Sequence, residues 1–221
     1  FLLIMALGPK LDWIKSKKFQ VKFTKIILFI ISILISYLIV RNFNTQVLYS
    51  TLLISSALYL FIVSIIDLKN RKLKLSQKIS HSAFSILIIS IILNSLFSEE
   101  VSVNLKKGEE KKLVNYLLKF ENISKTEIDN FTSLKAEIHV VQNENKLKFY
   151  PELRLYKVPE TITSEADIKT NLFNDNLVVV NYLKDTDYLN IRYQKKPFML
   201  LIWFSALLLG IGGLLGLRKN S

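Results

Sequence analysis

Two histidines, His81 and His139, are the side chains whose chemistry stands apart from their surroundings in this 221-residue chain. No cysteine accompanies them, which removes disulfides, thiolate metal sites, covalent c-type haem attachment to this chain and cysteine nucleophiles. Two imidazoles are too few for a multi-histidine zinc centre. There is no Walker loop, GxGxxG, HExxH or GxSxG sequence. His81 lies three residues beyond Lys78, near the start of a long apolar run, and on a helix it shares a face with Gln77, Phe84, Ser85 and Ile88. An ionisable side chain there is costly unless it meets the bundle interior, water or a ligand. Two readings follow. His81 is an axial ligand to a haem iron held between helices, since a neutral imidazole nitrogen suits iron, or it is an interfacial histidine bonded to a loop carbonyl. His139 falls in the strand-like run Ala136–Val141 and is read as structural.

The elements that must position His81 are apolar runs. Spans are predicted at about 26–41, 47–66, 79–97 and 197–217, each close to the roughly 20 residues that cross a bilayer core. The first is short and can borrow Phe23, Thr24 and Arg41 at its ends. Phe1–Leu7 reads as the end of a truncated transmembrane helix, and 218–221 as a cytoplasmic tail. Net charge is +12, yet 16 acidic and 16 basic residues balance between Ser98 and Lys196. The excess lies beside the apolar runs, in Lys10, Lys15, Lys17, Lys18, Lys22 and Lys25 and in Lys69, Arg71, Lys72, Lys74 and Lys78. Short basic loops next to spans place loops 8–25 and 67–78 in the cytoplasm (or matrix) and segment 98–196 outside. A nucleic-acid surface would carry its charge on the soluble domain, so no nucleic-acid partner is expected.

The fold class expected is an α-helical polytopic membrane protein with an inserted small β-rich extracytoplasmic domain. Leu113–Phe120, Ala136–Val141, Lys146–Tyr150, Leu177–Tyr182 and Tyr188–Tyr193 have strand composition. Asn143-Glu144-Asn145 and Asp185-Thr186-Asp187 read as turns. Ser164–Thr170 reads as a short helix capped by Thr163 or Ser164, with Glu165 and Asp167 in its first turn. Gly210, Gly212, Gly213 and Gly216 offer small residues for close helix approach. Trp13 and Trp203 read as interfacial anchors. Asn122-Ile-Ser124 and Asn130-Phe-Thr132 match glycosylation acceptors, which matter only in a eukaryotic secretory context.

Several motifs, in order, carry a family resemblance: Tyr150-Pro-Glu-Leu-Arg154-Leu-Tyr156, Thr163-Ser-Glu165-Ala-Asp-Ile168, Leu172-Phe-Asn-Asp175-Asn-Leu-Val178, Lys196-Pro-Phe198, Ile202-Trp203 and Leu209-Gly210-Ile-Gly-Gly213. In this order and spacing the chain resembles the C-terminal portion of the CcmF family, the membrane haem-lyase component of the cytochrome c maturation system called system I. It departs from the family pattern at Ser76–Ser80, where small apolar residues are usual, at Asn174 in place of an Arg, and at Asn176.

The resemblance implies that His81 is one axial ligand of a haem b whose second ligand lies outside this chain. It implies transfer of haem from a haem chaperone to apocytochrome c, with no self-contained active site here and no catalytic residue to name. Further partners it implies are the upstream part of the same protein or a split subunit, thiol-handling subunits of the maturation system, and the lipid bilayer. The location implied is the bacterial inner membrane, or the mitochondrial inner membrane, with the β domain on the periplasmic or intermembrane side. The alternative is a non-enzymatic membrane scaffold presenting a β domain for protein recognition.

Overall fold

A computed structural model describes residues 1–7, 23–42, 47–69, 73–142, 145–183 and 186–217. Most of the basic loop 8–25, Trp13, Asn143, Glu144, Asp185 and the tail 218–221 lie outside the described residues. The chain divides into two compact units, one of Phe1–Phe97 with Phe198–Ser221 and one of Ser98–Pro197.

The first unit is helical: α1 (Leu2–Leu7), α2 (Phe23–Val40), α3 (Val47–Asp67), α4 (Leu75–Phe97) and α5 (Met199–Leu217). Four of these, α2 to α5, are long and apolar enough to cross a membrane. Helix is the form such runs must take in hydrocarbon, because it satisfies every backbone N–H and C=O within the segment. α2 starts at Phe23 and stops at Val40, where the Arg41 N–H still reaches the Tyr37 carbonyl at 2.9 Å. Several serine hydroxyls inside the spans are satisfied by the preceding turn: Ser36 donates to the Ser32 carbonyl at 2.6 Å, and Ser205 to the Leu201 carbonyl at 2.7 Å. A small core joins α1, α3 and their neighbours, with Ala6, Tyr59, Leu60 and Val63 buried and Leu28, Phe29 and Phe84 packed on them. Phe29 meets Tyr59 edge to face at 5.4 Å. Ile30, Leu34 and Leu38 on α2 and Leu207 and Leu214 on α5 stand exposed, as side chains bathed by lipid do.

The second unit is a β-sandwich, with ten strands among the described residues: β1 (Glu99–Leu105), β2 (Glu110–Lys112), β3 (Leu117–Glu127), β4 (Phe131–Gln142), β5 (Asn145–Phe149), β6 (Glu152–Lys157), β7 (Glu160–Glu165), β8 (Asp167–Thr170), β9 (Asn174–Tyr182) and β10 (Leu189–Pro197). One sheet runs β1-β10-β9-β8; the other runs β2-β3-β4-β6-β7, with β5 also on β4, and all pairs are antiparallel. Alternate residues point inward. Ala136, Ile138 and Val140 of β4 and Leu118 and Phe120 of β3 therefore share one core with Val178 and Val180 of β9 and Ile191 and Tyr193 of β10. Phe149 is wholly buried among them, its ring 6.2 Å from that of Tyr193.

The helix expected at Ser164–Thr170 is corrected to two strands. Thr161, Ile162 and Thr163 are β-branched and pair with Tyr156, Leu155 and Arg154 of β6, whereas Asp167 and Ile168 pair with Val178 and Leu177 of β9. The chain thus crosses from one sheet to the other at Ala166. The Asp167 carboxylate caps no helix; it accepts the Tyr150 N–H at 2.6 Å. The strand expected from Leu113 begins at Leu117, because Leu113 to Tyr116 form a turn closed by a 2.7 Å bond from the Leu113 N–H to the Tyr116 carbonyl. At the other boundary Phe198 takes a left-handed φ of 62°, a conformation that costs a bulky residue energy. Its ring lies 6.4 Å from that of Phe97, and its carbonyl accepts the Ile202 N–H of α5 at 3.1 Å.

Phe149→Ala should remove about 3–5 kcal/mol from the sandwich, read by chemical denaturation with near-ultraviolet circular dichroism. Ile162→Ala, at a side chain 58% exposed, should stay within about 0.5 kcal/mol.

Candidate functional site

His81 stands on the second turn of α4, half-buried. The rotation of α4 is fixed on its other side. Gly212 of α5 sits against Ser80; a Cβ added there would collide with Ser80 Oγ and lie 3.0 Å from the Ser80 nitrogen. One turn along, a Cβ at Gly216 would touch Ser76 Cβ at 3.8 Å. The contact is a stripe of small residues, Ser76 and Ser80 on one helix against Gly216 and Gly212 on the other, which lets two backbones approach closely. Gly210 and Gly213 face open space, so the glycine run divides into a packing pair and a pair that packs on nothing in this unit. Trp203 is 67% exposed on α5.

Successive helix residues turn by about 100°, so with Ser80 on α5 the next side chain faces α3. There His81 borders a notch of about 10 Å³, lined also by Ser64, Asp67, Leu73, Gln77 and Lys78. That is room for about one water. The Ser64 hydroxyl is buried and has no hydrogen-bond partner among the described residues. Asp67 closes the last turn of α3, and its charge acts on the His81 ring. Lys78 is committed elsewhere: its ammonium donates to the Leu68 carbonyl at 2.9 Å, satisfying the carbonyl end of α3 where a cation is favoured. Among the described residues the His81 ring makes no hydrogen bond, and no group of three or more His, Cys, Asp or Glu could hold a metal ion.

Nothing in the sequence pattern brought Ser64 to this site. Asp67 carried a signal, since it and Asp12 are the only acids outside residues 98–196 and Asp67 ends an apolar run. Ser76 and Ser80, read as departures from a small apolar pattern, are small enough to serve as the bed for Gly212 and Gly216.

His139 belongs to a different environment. It points out of the sandwich core on β4 yet is only 5% exposed, because Nε2 meets Glu137 Oε1 at 2.9 Å and Nδ1 lies 3.1 Å from Glu121 Oε1. The second contact has the distance of a bond without its alignment. Lys119 bonds the same Glu121 oxygen at 2.8 Å and holds that carboxyl below the usual carboxylate range. This is a charge ladder across the sheet, with the histidine covered by its neighbours.

The motif around Arg154 resolves the same way. The guanidinium holds both oxygens of Glu152, at 3.1 and 3.2 Å, and stacks 5.2 Å from the Phe131 ring, which itself packs on Tyr156. Arg154 first, then Ser133, keeps the Glu152 carboxyl below its ordinary range. Asn176 is buried and accepts the Tyr193 hydroxyl at 2.8 Å. Tyr116 donates to Glu99 at 2.5 Å. Burial raises both tyrosines, Tyr193 to about 12, so both hydroxyls stay neutral donors.

Residues 96–197 match the family model described as the CcmF C-terminal beta-sandwich. The chain is 34% identical over 140 residues to the cytochrome c-type biogenesis protein CcmF of Pseudomonas fluorescens, covering 63% of this chain and 21% of the relative. It is 23% identical over 225 residues to the CcmF of Escherichia coli strain K12, covering 97% of this chain and 35% of the relative. A solved structure of the cytochrome c haem lyase CcmF superposes with a TM-score of 0.74 at 12% identity, over 99% of this chain and 38% of that one. The chain therefore spans about a fifth to a third of the length of these curated relatives.

Gly212→Ala should loosen α4 from α5 and cost about 1–3 kcal/mol by overpacking. Gly213→Ala should be neutral or slightly stabilising, since nothing lies within 4 Å of its added methyl and alanine favours helix. Thermal unfolding of the two variants side by side in detergent checks the pair.

Proposed function

We propose, on the premise that this chain is a C-terminal portion of the CcmF family, that it serves cytochrome c maturation by holding one axial ligand of a haem in the membrane. What carries the reading is the match of residues 96–197 to the family's C-terminal sandwich, together with a fold that follows a solved haem lyase over 99% of the chain. The complete protein in this reading takes haem from a haem chaperone and delivers it to apocytochrome c. The upstream part of the protein, or a separate subunit, supplies the remaining machinery, together with thiol-handling subunits of the maturation system. Basic loops 8–25 and 67–78 face the cytoplasm or matrix, and the sandwich faces the periplasm or intermembrane space. The membrane is then the bacterial or mitochondrial inner membrane.

His81 is the residue that would hold the haem, of b type. Its chemistry fits: an imidazole whose ring makes no hydrogen bond among the described residues, beside a notch too small for a macrocycle. The notch suits the other ring nitrogen. One water in the notch would link the imidazole N–H to Ser64 and Asp67 and orient the ring, as ligating histidines usually require. The remaining ring nitrogen would be left for iron. When bound, a haem would supply one-electron transfer. What this chain adds is the placing of that nitrogen, by α4 wedged between α3 and α5, and a carboxylate that tunes its basicity.

In cells whose only family member carries this chain with its upstream part, His81→Ala should cut covalently haem-stained cytochrome c by about tenfold or more. Undiminished maturation with the variant protein present in the membrane would overturn the assignment. Asp67→Asn should leave haem bound and raise its midpoint potential, because a weaker hydrogen bond leaves the imidazole a poorer donor to iron; an unchanged potential removes Asp67 from the site.

A further inference from the structure

β5 forms one of the edges of the sandwich. Among the described residues β5 pairs with β4 alone, while its continuation β6 is flanked on both sides. The parity of its backbone groups is set by one bond. The Ala136 N–H donates to the Pro151 carbonyl at 3.0 Å, and the same register pairs Ile138 with Phe149 and Val140 with Leu147. In an antiparallel ladder, bonded pairs recur every second residue. Phe149 and Leu147 therefore bond β4, whereas Tyr150, Lys148 and Lys146 turn their N–H and C=O outward. Tyr150 follows this parity, since its outward N–H is taken by Asp167. For the backbone N–H of Lys148 and Lys146 no acceptor is found among the described residues.

Beside this edge runs a cleft of about 330 Å³, within the size range of small ligand sites, roughly 300–1,000 Å³. Leu147 and Tyr193 floor it, the amides of Gln142 and Asn174 wall it, and Lys146 and Lys195 charge it; among the described residues no carboxylate lines it. The Lys195 ammonium rests 3.4 Å from Gln142 Oε1, a weak neutral partner. At the rim the β8–β9 turn holds Leu172 and Phe173 out in solvent, 69% and 73% exposed. That posture is fixed by Asn171 Oδ1, which accepts the N–H of Phe173 at 2.9 Å and of Asn174 at 2.8 Å.

We propose that this edge binds an extended, acidic polypeptide segment as an added strand on β5. An added strand uses the unpaired N–H and C=O of Lys146 and Lys148, and pockets for alternate side chains give it selectivity. One set of its side chains enters the cleft over Leu147 and Tyr193, with a carboxylate reaching Lys195. The other set lies along the stems of Lys146 and Lys148, the Lys148 ammonium standing 3.9 Å from Glu137 Oε1, and Leu172 and Phe173 cover the strand from the rim. The inference rests on the sandwich alone and is independent of haem at His81.

The test uses the whole chain in detergent and a fluorescein-labelled heptapeptide alternating valine with glutamate, followed by anisotropy. Three comparisons accompany it: the same peptide with lysine for glutamate, the acidic peptide N-methylated at alternate residues, and the Lys146→Pro chain. Proline is tolerated at an edge position whose N–H faces outward, and thermal unfolding verifies that the variant folds. Saturable binding of the acidic peptide, weakened about tenfold or more in each comparison, is the expected result. Equal binding of the N-methylated peptide would show attraction by charge without strand addition and overturn the proposal. So would absence of saturable binding to the wild-type chain. If Lys146→Pro fails to fold, the N-methylated peptide decides alone.

Discussion

The close approach of α4 to α5 at Ser80 and Gly212 governs the helical unit. In hydrocarbon, apolar side chains gain little by leaving lipid for each other, so helices associate through contact and the satisfaction of polar groups. A glycine bedded on a serine supplies contact at backbone range, and it leaves α4 one rotation. With Ser80 committed to α5, His81 is turned to α3, where Ser64 and Asp67 wait at the helix end. Phe84, one turn further on that side, enters the buried cluster with Tyr59 and Leu60. The placement of the one histidine within a span is thus a consequence of two glycines on another helix.

The sandwich obeys a matching constraint. Its first strand and its last are neighbours, with Glu99 opposite Lys195, so the chain enters and leaves the domain side by side. A domain built this way can be inserted between two consecutive helices without disturbing their packing. The Tyr116–Glu99 and Tyr193–Asn176 bonds secure the polar groups of these terminal strands where they border the core. Asn176, which breaks the family pattern in sequence, is used fully in the structure.

The helical spans and the β-rich character of the insert were legible because hydropathy and alternation are local. Strands with strong alternation, such as Ala136–Val141 and Leu177–Tyr182, were found in the sequence; β7 and β8 were not. There a capping-like Thr-Ser-Glu signal suggested helix, and tertiary pairing with β6 and β9 prevailed over it. His81 was visible as an ionisable group in an apolar run. Its notch was not, because Ser64 and Asp67 come from a preceding helix and no spacing rule links them. The division of the glycines into Gly212 and Gly216, which pack, and Gly210 and Gly213, which do not, likewise depends on the helix they meet.

The most direct measurement is the reduced-minus-oxidised spectrum of this chain copurified with its upstream part, comparing wild type with His81→Gly, with and without added imidazole. The account predicts a b-type signal in the wild type, its loss in the variant and its return with imidazole, which fills the place of the missing side chain. A variant that keeps the wild-type spectrum without imidazole would contradict it.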